Sequence, residues 1–356
     1  MNVSITGIGN YIPCGRISNK DMIEHFRNEF SRFLTSKDLE YLLYGLERKM
    51  SFLEIETRTC CESYEKENSV TMAVSAAEKA LLNAGILASD IDLLLFTGVT
   101  NPFREPSYAI LLAHKLGMKE VNCFDVNDTC NGFLKCIELA DLYIQAQKAR
   151  RVLVVTSEST LEWMDAAKEN FQIKTVEDAD RLMSALFAGS GAAAMVLERN
   201  NGKHVIQAYK EKASTADWDV SFLVSPLMQI PVKKIQEEKI AMYSDGRKIA
   251  ASIIRDMPEF VEEFLSQQTI SIEQIRYIFS HQLGRNITFA LLNKLKVDID
   301  KVFPVNTFKE YGNMGSANIP IGLGIAEEQG ILKPGDSILL LGSSCGIKYT
   351  CVNIIW

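Results

Sequence analysis

The sequence predicts an α/β protein built from two similar halves, and three observations lead to this prediction. Seven short apolar runs rich in Val, Ile and Leu have the length and composition of buried strands. Stretches with helical spacing of apolar residues lie between many of these runs, which favours α/β layering. Segments of the first half also resemble segments of the second half at one nearly constant spacing.

The elements follow from local patterns. In Asn131–Gln147 the apolar residues recur at helical spacing, so this segment is predicted to be a helix. The predicted strands are residues 3–8, 91–96, 152–155, 192–197, 275–279, 338–341 and 351–355.

The repeat predicts how the chain is organised. SDIDLLLFT at 89–97 resembles EQIRYIFSH at 273–281, a spacing of 184 residues (273 − 89). The segment around Cys130 resembles the one around Met314 at the same spacing, and VLVV at Val152 pairs with ILLL at Ile338. We therefore predict two halves, 1–199 and 200–356, related by a pseudo-twofold axis and joined near the turn sequence ERNNGK.

Three polar residues are candidates for chemistry. Cys130 opens a predicted helix, whose free amides favour a thiolate and are expected to lower the pKa of the thiol. Asn313 precedes the corresponding helix of the other half, so the two helix starts are expected to share one site. His281 follows a strand end, where α/β proteins collect functional groups. Each has a structural alternative: a small buried hydrophobe, a helix cap and a structural histidine.

Composition excludes several classes of function. The formal net charge of −7 gives no overall positive field for nucleic acid or anionic lipid. No apolar run is long enough to cross a bilayer, and the eight cysteines show no metal-ligand spacing, so we expect a cytoplasmic protein without a metal site. The G-x-S-x-G match at 342–346 lacks a following helix and a downstream histidine, which argues against a serine hydrolase.

Together these residues resemble a known family. DVNDTCNGF with Cys130, SHQLGRN with His281 and YGNMGSANIP with Asn313 resemble the Cys-His-Asn set of the β-ketoacyl synthase III group of the thiolase superfamily. FAGSGAAAMVLE and GDSILLLGSSCG add to the resemblance, which spans nearly the whole chain. It implies a thiolase-like fold of two βαβαβ halves in five layers (α-β-α-β-α) and an acyltransferase activity. Backbone amides of Cys130, Cys345 and Gly346 would form the oxyanion hole.

A finer resemblance concerns Glu105. FREPSYAILLAHKLG resembles the segment of α-pyrone-forming ketosynthases and OleA-type condensing enzymes that places a glutamate at this position. It implies that Glu105 removes a proton from a β-ketoacyl thioester, whose carbanion attacks the acyl group on Cys130 in a non-decarboxylative Claisen condensation. Lactonisation to an α-pyrone would follow. In the family this loop crosses a twofold interface, so a homodimer is implied, with Glu105 serving the partner's active site.

The same resemblance implies how the substrates are held. No cofactor is implied beyond the CoA or phosphopantetheine carrier of the thioesters, and acyl-CoA or an acyl carrier protein is the implied partner. Arg181 and Arg285 are candidates for binding the carrier. The stretch from His25 to Glu56 is longer than usual; we interpret it as an amphipathic helix packed in the core, with a lid over an acyl tunnel as the alternative.

Other activities stay open from the sequence. An OleA-type enzyme would join two fatty acyl-CoAs head to head into a 2-alkyl-3-oxoacyl product. A decarboxylative β-ketoacyl synthase III would use malonyl carrier protein and would not need Glu105. A non-catalytic partner subunit is the alternative outside enzymology, although Cys130, His281 and Asn313 are all present.

Overall fold

The computed structural model describes all residues except 1–2, 64, 102, 160–174, 177–185, 224–241 and 300–303. The described elements are thirteen strands and nine α-helices, and all seven predicted strands and the predicted helix are among them. The strands are β1 Val3–Tyr11, β2 Gly15–Ser18, β3 Thr57–Cys60, β4 Leu93–Thr97, β5 Asn122–Asp125, β6 Arg151–Glu158, β7 Gly191–Arg199, β8 Val205–Ala213, β9 Ser221–Leu223, β10 Met242–Ser244, β11 Tyr277–Ser280, β12 Ser337–Ser344 and β13 Lys348–Ile355. The helices are α1 Asn19–Phe30, α2 Ser36–Leu53, α3 Ser69–Ala84, α4 Tyr108–Lys115, α5 Gly132–Gln145, α6 Gly246–Ser266, α7 Arg285–Lys294, α8 Thr307–Tyr311 and α9 Asn318–Glu328.

Nine strands form one sheet with a mirrored order, β11-β12-β13-β8-β1-β7-β6-β4-β5. In the first half β4, β5 and β6 run parallel, and β7 is antiparallel to both of its neighbours. The second half repeats this arrangement, with β11 parallel to β12 and β13 antiparallel to β12 and β8. Only the short pairing of Val3 with Ile206 and Ser4 with Val205 joins β1 to β8. This order confirms the predicted pairing of two similar halves.

Side-chain alternation along the strands separates three core layers. On β4, Leu93 and Leu95 face a cluster that contains α5 and α9 together with strands of both halves. Leu94 and Phe96 face the opposite way, against α3 and α4. In the second half, α6 and α7 cover the outer face of β11, β12 and β13. Helices thus lie between and outside the two sheet halves, and the predicted five-layer thiolase-like fold is confirmed. Full burial of each large apolar side chain contributes roughly 1.5 to 3 kcal/mol.

The structure corrects the register of the repeat near the predicted site. The spacing of 184 holds between β4 and β11 (277 − 93). A 3₁₀ turn at Thr129–Asn131 precedes α5, and a second one at Gly315–Ala317 precedes α9, a spacing of 186 (315 − 129). Strands β6 and β12 keep the same 186 (337 − 151). The pairing of Cys130 with Met314 is therefore wrong by two residues, and the counterpart of Cys130 is Ser316.

The long N-terminal insertion forms two helices, α1 and α2, where the sequence pattern predicted one. Ser18 and Thr35 cap the two helices by accepting bonds from backbone amides, and the chain turns between Ser31 and Thr35. The predicted core packing is observed, except that Phe33 is 60% exposed. The buried members of this cluster are Met22, Phe26, Phe30, Leu39, Leu42, Leu43, Leu46, Met50 and Ile55, packed with Leu186, Phe187 and Phe308.

Candidate active site

Cys130 lies in a tightly constrained turn between β5 and α5. Thr129, directly before it, has a φ of 49°, a left-handed conformation that a β-branched residue adopts only at a cost. A Cβ on Gly132 would come within 2.0 Å of Thr97 Oγ1 at the end of β4, so only glycine fits there. On the other side, a Cβ on Gly342 would meet Asn131 Oδ1 at 2.5 Å. The turn carrying Cys130 is therefore held between the ends of β4 and β12, at the junction of the two halves.

A second thiol lies beside Cys130. Cys345, in the turn between β12 and β13, shares a hydrogen bond with Cys130, and both side chains are partly exposed. This contact brings the predicted oxyanion-hole residues Cys345 and Gly346 next to Cys130. Gly346 has a φ of 79°, a conformation that glycine adopts without strain. The geometry fits the predicted oxyanion hole, which stays a prediction.

The two thiols have opposite pKa shifts. The hydrogen bond with Cys345, burial and the charge of Glu158 raise the pKa of Cys130 well above its usual value. Conversely, the hydrogen bond from Cys130 lowers the pKa of Cys345 to about 7. Such a pair gives up one proton readily because the remaining S–H donates to the thiolate, and it resists losing the second. The prediction that the helix N-terminus lowers the pKa of Cys130 is therefore wrong, because these neighbours outweigh the turn's backbone amide.

His281 follows β11 and is fixed against the same strand as Cys130. Its backbone N–H donates to Leu341 O at 2.8 Å, one residue before the glycine that packs on Asn131. The imidazole is buried, and its Nδ1 has no hydrogen-bond partner among the described residues. Burial lowers the pKa of His281 to about 4, so the ring is neutral at neutral pH. A neutral imidazole is able to donate one N–H to a carbonyl oxygen without adding charge.

Asn313 lies at the start of the corresponding turn in the second half. Its backbone is fixed to the segment before β7, since its N–H donates to Phe187 O at 2.8 Å and its carbonyl accepts from Gly189 N at 2.9 Å. The side-chain Oδ1 accepts from Gly315 N at 2.9 Å, so the amide also acts as the cap that the sequence suggested. With Oδ1 occupied, the Nδ2 hydrogens are the donors that Asn313 has left for a substrate.

A buried carboxylate that the sequence analysis missed joins the two halves at this site. Glu158, at the end of β6, is 1% exposed, and its oxygens accept bonds from the backbone amides of Val99 and Thr100. Ser316 Oγ donates to Glu158 Oε1 at 2.6 Å. Burial raises the pKa of Glu158, in opposition to these hydrogen bonds. The available signal was the repeat itself, since a spacing of 186 instead of 184 would have matched Ser316 with Cys130.

Glu105 lies on the surface of the chain. It precedes α4, whose first amides are capped by Asp125 through bonds from Tyr108 N at 2.7 Å and Ala109 N at 2.8 Å. The side chain is exposed, and no hydrogen bond or ion pair between described residues joins it to Cys130. The structure holds one chain, so the predicted role of Glu105 across a dimer interface stays a prediction.

The two predicted carrier-binding arginines differ in what the structure shows. Arg181 lies outside the described residues. Arg285, the first residue of α7, forms an ion pair with Glu54 at 2.9 Å and lies over the ring of Phe289 at 4.6 Å. Its guanidinium thus links α7 to the end of α2, and its role toward a carrier stays a prediction.

The comparisons with known proteins agree on one group. Residues 124–214 match the family 3-oxoacyl-[acyl-carrier-protein (ACP)] synthase III, and residues 265–356 match its C-terminal family. β-Ketoacyl-[acyl-carrier-protein] synthase III of Clostridium perfringens is 28% identical over 352 residues, covering 98% of this chain and 97% of that protein. The enzyme of the same name from Aquifex aeolicus is 29% identical over 356 residues, covering 99% of both.

Solved structures show the same likeness in three dimensions. The Aquifex aeolicus synthase III structure superposes with a TM-score of 0.79 at 27% identity, covering 99% of this chain and 100% of that one. OleA of Xanthomonas campestris has a TM-score of 0.84 at 24% identity, covering 100% and 98%. At that identity the second likeness concerns the fold alone. From the two matched segments, the full-length relatives and the fold, the chain is a condensing ketosynthase of the 3-oxoacyl-[acyl-carrier-protein] synthase III-like type, in the thiolase superfamily.

Proposed function

We propose that this ketosynthase transfers an acyl group from a thioester to Cys130 and joins it, without decarboxylation, to a β-ketoacyl thioester, after which the product lactonises to an α-pyrone. The observation that carries the proposal is the position of Cys130 at the junction of the halves, against the β12 segment to which His281 is bound. The carbon between two carbonyls is acidic enough for a carboxylate to deprotonate, which suits Glu105 of a partner subunit.

Each residue has one task in this sequence. The Cys130 thiolate attacks the acyl thioester and expels the carrier thiol. Amides of Cys130, Cys345 and Gly346 hold the tetrahedral oxyanion, an interaction worth roughly 3 kcal/mol per donor. Neutral His281 and the amide of Asn313 then hold the carbonyl oxygen of the second thioester while its carbanion forms. We propose acyl-CoA or an acyl carrier protein as carrier, no further cofactor, and a cytoplasmic homodimer.

Two related reactions compete with α-pyrone formation. The OleA likeness in fold favours head-to-head condensation of two fatty acyl-CoAs into a 2-alkyl-3-oxoacyl product. The names of the full-length relatives favour decarboxylative condensation as in β-ketoacyl-[acyl-carrier-protein] synthase III. Neither reaction requires a different position for Cys130.

Product analysis separates the three. The purified protein is supplied with acyl-CoA and either a β-ketoacyl carrier, a second acyl-CoA or malonyl carrier protein, and products are identified by mass spectrometry. A lactone from the first mixture supports the proposal; an open β-keto acid from the second, or product only with the malonyl carrier, contradicts it. Glu105→Ala is expected to abolish condensation while Cys130 is still acylated, and Arg104→Ala, at the exposed neighbouring position, serves as the control. Full condensation by Glu105→Ala would contradict the role of Glu105.

A further inference from the structure

The second thiol of the active site has a geometry that suggests a task of its own. Cys345 and Cys130 come from different halves of the chain, and their side chains hydrogen-bond to one another. The Ser221 hydroxyl, on β9, lies within hydrogen-bonding reach of the Cys345 sulfur and of Tyr243 O, the latter at 2.9 Å. A hydroxyl has one proton and donates to one acceptor at a time, so it is able to turn toward a thiolate at Cys345.

We propose, on the basis of the function proposed above, that the Cys345 side chain is the base that takes the proton of Cys130 when Cys130 attacks the acyl thioester. The Cys345 thiolate accepts the Cys130 proton while the Cys130 sulfur bonds to the acyl carbon. The carbon–sulfur bond to the carrier breaks, and the carrier leaves as a thiolate. Cys345–SH then protonates that thiolate and returns to its starting form. The net change is acyl transfer from the carrier to Cys130, with the carrier released as a thiol.

The surroundings favour Cys345 over the other candidate base. Burial lowers the pKa of His281 to about 4, so its ring is a weak proton acceptor at neutral pH. The pKa of Cys345, at about 7, is matched to that pH. Glu158 faces Cys130, and its charge disfavours a resting thiolate on Cys130 itself. A base in direct contact with Cys130 removes this obstacle at the moment of attack.

The remaining charges nearby are paired with one another. Lys348, at the start of β13, bonds Asp128 and Glu211 at 2.8 Å each. Lys135 on α5 pairs with Glu211 and with Glu138. Among the described residues, the groups that shift the pKa of Cys345 are the Cys130 thiol, the Ser221 hydroxyl and its own backbone amide, together with burial. The titration of Cys345 therefore depends mainly on Cys130.

The repeat gives independent geometric support. Glu158 at the end of β6 bonds the Ser316 turn of the second half. The position 186 residues later (158 + 186 = 344) is the end of β12, directly before Cys345. Each strand end thus presents an ionisable side chain to the turn of the opposite half. In one case the partner is a serine, and in the other it is the candidate nucleophile.

Alkylation kinetics test the proposal without any substrate. The rate of Cys130 modification by iodoacetamide is followed from pH 5 to pH 10 by peptide mass spectrometry at low conversion. In the wild-type protein we expect a midpoint near pH 7 that Cys130 and Cys345 share. In Cys345→Ser and Cys345→Ala the Cys130 midpoint is expected to rise by more than one pH unit, making modification at pH 7 at least tenfold slower. Cys123→Ala, at a partly exposed cysteine on β5, is expected to keep the wild-type profile.

The outcomes separate the base from a structural role. Cys345→Ser preserves size and hydrogen bonding but lacks an ionisable thiol, so a folded variant with a raised midpoint supports the proposal. A Cys130 midpoint and rate within twofold of wild type in this variant would overturn it. With acyl-CoA, Cys345→Ser is expected to release CoA at least tenfold more slowly at pH 7 and to recover at higher pH. If wild-type Cys130 accepts no acyl group at all, the proposed function fails, while the alkylation profile still decides the pairing of the thiols.

Discussion

The turn that carries Cys130 and the turn that carries Ser316 are the same structure used for two purposes. Both are 3₁₀ turns that begin a central helix, and they occupy matching places in the two halves. Ser316 is buried and bound to the Glu158 carboxylate, so its hydroxyl anchors the halves to each other. Cys130 is partly exposed and faces a thiol that is able to exchange a proton with it. The difference shows that what each opposing strand end presents decides whether the turn is structural or reactive.

The largest expected effect concerns the residues around the reactive turn. His281→Ala and Asn313→Ala are each expected to slow condensation by about 10²-fold to 10³-fold, because each removes a donor to the carbonyl of the second substrate. Acylation of Cys130 is expected to stay within a few-fold of wild type. Single-turnover acylation and steady-state product formation measure the two steps separately, with Asn286→Ala as a surface control on α7. Equal loss of both steps would contradict the assignment.

The structural turn is expected to respond in stability instead. Ser316→Ala removes a buried hydrogen bond to a carboxylate, so the free energy of unfolding is expected to fall by about 1 to 3 kcal/mol. Denaturant unfolding measures this change, and acylation of Cys130 by the folded variant is expected to persist. A Ser316→Ala protein with wild-type stability but no acylation would show that the two turns are not divided in this way.

Glu158 is expected to give stability a pH dependence of known sign. Burial raises the folded-state pKa of this carboxyl, so above its unfolded pKa the native protein holds the proton more tightly than the unfolded chain does. The contribution of Glu158 to stability therefore falls as pH rises through that window. Glu158→Gln removes the titration, and the wild-type free energy of unfolding minus that of the variant is expected to decrease with rising pH. A difference that increases with pH would contradict the buried, protonation-favouring site.

The smallest effect is expected at the surface link between α2 and α7. The Arg285–Glu54 pair is about 40% exposed on each side, so breaking it is expected to change the free energy of unfolding by less than about 1 kcal/mol. If Arg285 also binds the carrier, Arg285→Ala raises KM for acyl-CoA, whereas Glu54→Ala does not. Equal KM values for the two variants and the wild type would restrict Arg285 to this structural pair.

The sequence predicted the fold further than it predicted the chemistry of the site. Short apolar strands and the repeat indicated two α/β halves because burial on both faces leaves a direct trace in composition. The residues Cys130, His281 and Asn313 were predicted from their motifs. The Cys345 thiol and Glu158 were missed as side chains because their roles depend on contacts between the halves. The pKa shift of Cys130 was predicted with the wrong sign for the same reason, since local helix geometry was considered without the neighbouring thiol.

One measurement tests the central claim most directly, namely that Cys130 is the acyl acceptor of this ketosynthase. The protein is exposed to acyl-CoAs of several chain lengths and its intact mass is recorded, followed by peptide mapping. The account predicts a gain of one acyl group on Cys130, retained in Ser316→Ala and absent in Cys130→Ala. No adduct with any chain length, or an adduct that persists in Cys130→Ala, would contradict it.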